Sequence, residues 1–138
     1  MMRLALTLNH VAVMADDAQQ LAAFYRDVVG LEPVVAPAAQ HVNPDSYKWL
    51  KLGDHELHIV QRDDQLAKRL GVNIDPIKAH FAFSVESMES REELIDRLTK
   101  AGVKWMDWSP HGIPGKYQLF FLDPGGNLIE FQVVGPKA

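Results

Sequence analysis

Apolar and polar residues alternate in two short stretches of the chain that resemble each other. The first is "NHVAV" at positions 9–13 and the second is "AHFAF" at positions 79–83, each with a histidine in second place. Alternation with a period of two is typical of a β-strand that buries one face. We therefore predict a strand at each position.

An apolar stripe with helical spacing follows each of these strands. In the first half, an acidic start at positions 16–17 and a closing Gly30 predict a helix between them. In the second half, a capping box formed by Ser90 and Glu93 predicts the start, and Gly102 predicts the end. The positions expected to face the core are Leu21, Phe24, Tyr25 and Val28 in the first helix and Leu94, Ile95, Leu98 and Ala101 in the second.

Each half then closes on a related strand, "HELHI" at 55–59 and "IEFQV" at 129–133. Equivalent positions are 70 residues apart at the histidines, 72 at the glycines and 74 at the glutamates. Before the last strand, the turn sequence "DPGGN" separates two apolar runs and predicts a hairpin. The order β-α-β-β-β is therefore predicted twice.

The repeat also gives the domain organisation. We predict a single domain over residues 1–138, built from one module at about 4–60 and a second at about 78–134. The polar segment 61–77 is the predicted linker between them. A chain of 138 residues is the size of one ordinary domain, which agrees with this arrangement.

Composition narrows the possible partners. The formal net charge is -4 with no basic block, so nucleic acid and anionic membranes are not expected, and no apolar run approaches the roughly 20 residues of a membrane span. The opening "MMRLALTL" is interpreted as a strand rather than a signal peptide. The absence of cysteine is typical of a cytoplasmic protein and leaves His, Asp and Glu as metal ligands. A small-molecule substrate is the expected partner.

Ionisable residues occupy the strand faces that point away from the predicted core. They are His10, His80 and Glu130, together with Glu56 and His58 in the closing strand of the first half. A single strand histidine is more often structural than a ligand, but here both halves repeat the feature. If the sheet curls, these side chains form a nitrogen and oxygen ligand set suited to Zn, Ni, Co, Mn or Fe.

The segment "HELHIV" leaves two candidates for one ligand position. The helical zinc-peptidase motif is excluded, because the second histidine comes three residues after the first instead of four. By the repeat, Glu56 corresponds to Glu130 and His58 to Gln132, so Glu56 is the predicted ligand and His58 a pocket residue. A strand bulge would bring His58 to the metal instead.

Four stretches resemble the vicinal oxygen chelate superfamily: "LNHVAV", "LAAFYRDVVGLEPV", "AHFAFSV" and "QLFFLDPGGNLIEF". This family includes glyoxalase I, fosfomycin and bleomycin resistance proteins and extradiol dioxygenases. The resemblance implies an α+β fold in which two βαβββ modules form a cupped mixed sheet with helices on its convex side. It also implies a divalent metal ion in the cup and a homodimer. Carried over by position, the metal ligands are His10, His80 and Glu130, with Glu56 as the fourth ligand of glyoxalase I-like members.

The chain departs from each known subfamily. Met14 and Val60 stand where glyoxalase I-like members tend to carry an Arg and an Asn, which argues against the usual glutathione binding. Phe120 stands where extradiol enzymes tend to carry a Tyr, and the basic tail expected of fosfomycin transferases does not follow Ala138. The resemblance therefore implies the family without a substrate.

Three functions follow from the resemblance. The first is a glyoxalase-like lyase or isomerase that moves a proton through an enediolate, with Glu130 or Glu56 as the catalytic base. The second is a non-haem Fe(II) dioxygenase with a two-histidine, one-glutamate triad. The third is a non-catalytic binding or resistance protein. The residues expected to contact the substrate are His58, Trp49, Tyr47, Lys116 and Gln118.

Overall fold

The computed structural model describes residues 8–37, 43–62, 80–110 and 114–133. Within them the chain forms eight strands and two α-helices, and it repeats one order of elements twice. The first half contains β1 (His10–Ala15), α1 (Ala18–Phe24), β2 (Pro33–Val34), β3 (Tyr47–Leu52) and β4 (His55–Gln61). The second half contains β5 (His80–Val85), α2 (Met88–Lys100), β6 (Trp105–Asp107), β7 (Leu119–Leu122) and β8 (Leu128–Val133).

The strands form two four-stranded mixed sheets, in the orders β1-β4-β3-β2 and β5-β8-β7-β6. In each sheet the first strand runs parallel to the last, and the remaining pairs are antiparallel. The predicted α+β class and the predicted hairpin before the last strand are confirmed. Most of the predicted linker, from residue 63 onward, lies outside the described residues, and residue 61 belongs to β4.

The helices cover one face of each sheet and share a continuous apolar core. Strand alternation places Leu57 and Ile59 of β4, and Ile129 and Phe131 of β8, in this core. The remaining buried apolar residues come from both modules: Val13, Ala15, Ala18, Leu21, Ala22, Phe24, Tyr25, Leu50, Leu94, Leu98, Leu119 and Phe121. The other face of each sheet, which carries the polar strand residues, is therefore not covered by these helices.

The helix ends show where the sequence patterns succeed and fail. Asp17 caps α1, as predicted, and the helix continues as a wider π-helical turn over Tyr25–Val29 to Gly30. The prediction that Ser90 begins the second helix is wrong. Ser87 is the N-cap, and its side chain accepts a hydrogen bond from the Ser90 backbone N–H at 3.1 Å. Two serines three residues apart make both positions plausible from the sequence alone.

A buried hydrogen bond joins the two modules. The Tyr25 hydroxyl donates to the Asp123 carboxylate at 2.6 Å, and Asp123 also accepts from the backbone N–H groups of Gly125 and Asn127. Burial, followed by the nearby Asp123 charge, raises the pKa of Tyr25 well above its ordinary value. The hairpin of the second module is thus fixed to the helix of the first. Within the described residues, no helix is long and apolar enough to cross a membrane.

Candidate functional site

The polar face of the first sheet holds three stacked rings. We call this face the first cup face. The His58 ring lies between Trp49, at a centroid distance of 4.0 Å, and His10, at 3.9 Å. The sheet register produces this column. Trp49 of β3 lies directly opposite His58, and on β1 the residue opposite His58 is the small Ala12, so the ring of His10, two residues earlier on the same face, stacks on His58. The residues of the first cup face are His10, Ala12, Met14, Val34, Tyr47, Trp49, Lys51, Glu56, His58 and Val60.

Hydrogen bonds orient the imidazoles of this column. The Nδ1 atom of His10 lies 2.6 Å from the side-chain oxygen of Asn9. An amide oxygen only accepts, so in the neutral imidazole Nδ1 carries the hydrogen and Nε2 offers its lone pair. The Nε2 atom of His58 lies 3.2 Å from the Glu56 carboxylate, which is one-third exposed. Two imidazoles and one carboxylate therefore share this face of the sheet.

The polar face of the second sheet, the second cup face, holds a buried carboxylate. Glu130 is only 7% exposed. One of its oxygens accepts a hydrogen bond from the Gln118 amide at 2.7 Å, and the other lies 3.4 Å from Nε2 of His80. The residues of this face are His80, Ala82, Ser84, Met106, Phe120, Leu122, Leu128, Glu130 and Gln132. Contacts with two partners fix the carboxylate in one orientation.

Aromatic rings continue outward from this pair. The ring of Phe120 meets His80 edge-on at 5.7 Å and Trp108 edge-on at 6.1 Å. The segment that carries Trp108 is tied to α2 by the buried Arg91, which donates to the Tyr117 carbonyl and pairs with Asp107 at 3.0 Å. Hydrogen bonds from the Ser109 side chain and backbone lower the pKa of Asp107. This rim is therefore anchored on both sides of Trp108.

The predicted metal ligands fall into two pairs, not one cluster. His10 and Glu56 lie on the first cup face, whereas His80 and Glu130 lie on the second. In the part of the chain that the structure describes, no three His, Asp or Glu side chains come close enough to hold a metal ion together. Each sheet thus presents half of the expected ligand set.

The sheet registers also revise the correspondence within the repeat. In the second sheet, Glu130 lies opposite Ala82 and Phe120. In the first sheet, the residue opposite Ala12 and Trp49 is His58, whereas Glu56 lies opposite His10. The positional counterpart of Glu130 is therefore His58, and Glu56 corresponds to Leu128. The expected correspondence between Glu56 and Glu130 is wrong. The sequence does contain a signal for the correct correspondence, because His58 and Glu130 are 72 residues apart, like Gly30 and Gly102.

The remaining predicted substrate-contacting residues, Tyr47 and Lys116, lie in different parts of the structure. Tyr47 shares the first cup face, and its hydroxyl donates to the Pro37 carbonyl at 3.0 Å. Lys116 is exposed, and its carbonyl accepts from the Val133 N–H. Sequence reasoning missed Lys51, which lies opposite Glu56 on the cup face, although strand alternation from Trp49 identifies it.

A family model supports the architecture. The model of the Glyoxalase/Bleomycin resistance protein/Dioxygenase superfamily matches residues 7–131. The chain belongs to this superfamily. Among curated protein sequences, none matches the chain.

Solved structures of this superfamily share the fold. A glyoxalase family protein from Bacillus anthracis is 29% identical, with 96% of this chain and 98% of that chain covered and a TM-score of 0.70. A lactoylglutathione lyase from Agrobacterium tumefaciens is 24% identical, with 96% of each chain covered and a TM-score of 0.69. A single-residue variant of the fosfomycin resistance protein FosX from Listeria monocytogenes, in a complex with Mn(II) and a dihydroxypropylphosphonic acid, is 17% identical, with 94% of this chain and 93% of that chain covered and a TM-score of 0.72.

Proposed function

We propose that this superfamily member is a metal-dependent, glyoxalase-like enzyme that moves a proton next to a carbonyl of a small substrate bound through neighbouring oxygens. The observation that carries the proposal is the Glu130 carboxylate, buried on the open face of a sheet beside His80 and oriented by Gln118. A buried carboxylate is costly unless it is paired or coordinates a metal. The Mn(II) complex of FosX supports a metal site in this fold, and the name of the lyase supports the lyase class.

The donor chemistry of both half-sites fits a divalent metal ion. His10 and His80 offer imidazole nitrogens, and Glu130 offers a carboxylate whose other contacts resemble those that usually orient a ligand. We propose these three residues as ligands. A bound metal would supply Lewis-acid stabilisation of negative charge on substrate oxygen.

We propose that the fourth ligand comes from β4, where Glu56 and His58 are the two candidates. The register supports His58, because it occupies the position that Glu130 occupies in the second sheet. Glu56, which contacts His58 at 3.2 Å and is partly exposed, is then the proposed base that takes the substrate proton. If Glu56 binds the metal instead, as the sequence comparison predicts, Glu130 or Glu56 serves as the base.

We further propose that two copies of the chain complete the site. Within the described residues β1 and β5 are edge strands, and each carries one histidine of the ligand set. Unpaired edges are templates for pairing with another strand. Several apolar side chains of the two cup faces are also exposed, among them Met14, Val60, Met106 and Leu122. A homodimer that joins β1 of one copy to β5 of the other would cover them and bring the half-sites together.

Subunit mixing tests the metal site and the dimer at once. The variants His10→Ala and His80→Ala are each loaded with zinc, and then mixed through partial denaturation and refolding. We expect each variant alone to bind zinc weakly. If each site uses His10 of one chain and His80 of the other, a mixed dimer contains one intact site and regains one tight zinc per dimer, measured by calorimetry.

The outcomes separate the alternatives. Restored binding in the mixture supports a site shared between chains, whereas tight binding in neither variant nor mixture contradicts it. Zinc binding equal to that of the unaltered protein in both single variants would overturn the metal-dependent function. The variant His55→Ala, titrated in the same way, controls for nonspecific zinc binding, because His55 lies at the start of β4 on the core-facing side of the strand.

A further inference from the structure

A buried arginine lies on the helix side of the second sheet. Arg91 of α2 is only 4% exposed, although arginine is almost never fully buried unless it is paired. Its Nε atom donates to the Tyr117 carbonyl at 3.1 Å, and its Nη2 atom lies 3.0 Å from the Asp107 carboxylate. The planar guanidinium thus joins the end of β6 to the backbone just before β7.

The carbonyl that Arg91 binds belongs to a strained backbone position. Tyr117 has a φ of 49°, and among the residues that the structure describes it is the one non-glycine residue with positive φ. A residue with a side chain is held in this left-handed region by its surroundings, because negative φ is lower in energy. The Tyr117 carbonyl is part of the peptide unit that leads to Gln118, so the guanidinium fixes the plane of that peptide.

Gln118 carries this orientation to the other side of the sheet. Strand alternation buries Leu119 in the core and places the Gln118 side chain on the second cup face, where its amide donates to Glu130 at 2.7 Å. The Gln118 carbonyl accepts from the backbone N–H of Trp108 at 2.9 Å. The peptide after Gln118 is therefore held by the sheet, and the peptide before it is held by Arg91.

We propose that Arg91 holds Tyr117 in its left-handed conformation and is thereby a positioning residue for the half-site of the second sheet. The fixed peptide directs the Gln118 amide at the Glu130 carboxylate. This inference rests on the proposed function for the role of Glu130 as a metal ligand, but the contact between Gln118 and Glu130 needs no metal. Since Arg91 lies behind the sheet, it acts through one peptide unit and touches neither metal nor substrate.

A double-mutant cycle tests whether Arg91 acts through Gln118. Zinc affinity is measured by calorimetry on Arg91→Met, on Gln118→Leu and on the variant with both changes. Arg91→Met should weaken zinc binding roughly 3- to 10-fold, since groups that orient a ligand are worth about 10- to 100-fold. In the Gln118→Leu background the same change should matter less than about twofold. Equal losses in both backgrounds, or no loss in Arg91→Met alone, would overturn the proposal.

The matched control removes a second guanidinium from the same helix. Arg97 lies six residues after Arg91 on α2, is nearly half exposed, and pairs with Glu93 at 3.1 Å. Arg97→Met should leave zinc affinity unchanged, because the Tyr117 carbonyl keeps its partner. A loss as large as that of Arg91→Met would mean that the effect belongs to the helix as a whole, and the proposal would fail.

A more conservative variant replaces Arg91→Met if that protein does not fold. Arg91→Lys keeps a positive charge beside Asp107 but offers a single point of charge instead of the fork. We expect this variant to fold, to keep the ion pair and to lose the bond to the Tyr117 carbonyl. Its zinc affinity should fall as expected for Arg91→Met, and an unchanged affinity would overturn the proposal.

A measurement without metal separates this proposal from the proposed function. Solvent exchange of the Gln118 side-chain amide protons is followed by NMR in the metal-free protein, and Gln118→Leu identifies their signals. Arg91→Met should speed this exchange roughly threefold or more, because the hydrogen bond to Glu130 is loosened, whereas Arg97→Met should not. If zinc does not bind the unaltered protein, the metal-dependent function is overturned, and faster exchange still supports the positioning role. Exchange that Arg91→Met leaves unchanged would overturn that role.

Discussion

The two modules share one architecture but hold their polar residues differently. In the second module, Glu130 is buried and fixed by Gln118 and His80. In the first, the corresponding position holds His58, packed between two rings, and the carboxylate of Glu56 is one-third exposed at its edge. The same strand position therefore carries a carboxylate in one module and an imidazole in the other.

This difference indicates a division of roles. A fixed, buried carboxylate loses little conformational entropy when it binds a metal, which favours a ligand. A partly exposed carboxylate can change its orientation, which suits a group that carries a proton. The repeat thus supplies two similar scaffolds, and the side chains on them can specialise.

The largest expected effect tests this division directly. Glu130→Gln should weaken zinc binding by more than about 100-fold, because losing even a partner that orients a ligand costs roughly 10- to 100-fold. Glu56→Gln, the same change on the other face, should cost about tenfold or less. Calorimetric titration of both variants decides the point. A larger loss in Glu56→Gln would reverse the assigned roles.

The hairpin turns differ in a way that affects stability. Asp123 accepts hydrogen bonds from Tyr25, Gly125 and Asn127, whereas the exposed Asp54 lies in the short turn of the first hairpin. Asp123→Ala leaves the buried Tyr25 hydroxyl unpaired and should cost about 2 kcal/mol. Asp54→Ala should stay within about 0.5 kcal/mol. Urea denaturation of both variants measures the difference, and equal losses would contradict the role of Asp123.

Polar neighbours of the two half-sites give a smaller contrast. Gln118 donates to Glu130, whereas Tyr47, on the corresponding strand of the first sheet, donates to the Pro37 carbonyl. Gln118→Leu should weaken zinc binding about tenfold by releasing the carboxylate. Tyr47→Phe should leave zinc affinity unchanged. If Gln118→Leu binds zinc normally, Gln118 is a substrate contact rather than a positioning residue.

The junction between the modules should respond to alkaline pH. Folding raises the pKa of Tyr25, so the folded state keeps its proton where the unfolded state begins to lose it. This contribution to stability is complete below about pH 10, the unfolded pKa, and declines as the pH rises through the raised folded value. Tyr25→Phe should lose about 1 kcal/mol at neutral pH. It should also lack this part of the alkaline decline, measured by urea denaturation between neutral pH and pH 11.

The sequence predicts the parts of this structure that depend on local pattern. Alternation places Leu57, Ile59 and Phe131 in the core, and Asp17 and Gly30 mark the ends of the first helical segment. These features need only neighbouring residues. The relation between His58 and Glu130 depends on register across strands, and matching glutamates by letter selects the wrong pair.

The separation of the proposed ligands into two pairs cannot be predicted from any local pattern. Alternation correctly assigns His10 and His80 to polar faces, but it does not say how the two sheets lie relative to each other. That arrangement depends on packing of both helices in one core and on the bond between Tyr25 and Asp123. Similar strand patterns would also fit a chain whose four ligands meet within one copy.

The smallest expected difference concerns the glycines that end the two helical segments. Gly30 and Gly102 both have positive φ, 93° and 71°, so alanine at either position should cost about 1 kcal/mol. A side chain on Gly30 would also meet the Arg97 guanidinium at 3.0 Å, whereas Gly102 has open space. Gly30→Ala should therefore cost a few tenths of a kcal/mol more.

A double-mutant cycle isolates this contact between the modules. In an Arg97→Ala background the guanidinium is absent, so Gly30→Ala and Gly102→Ala should become equally destabilising in urea denaturation. The contact involves the end of a long, partly exposed side chain, because Arg97 pairs with Glu93 at 3.1 Å and reaches the Val29 carbonyl at 3.5 Å. A difference that persists without Arg97 would mean that the backbone of the π-helical turn, and not the facing helix of the other module, restricts Gly30.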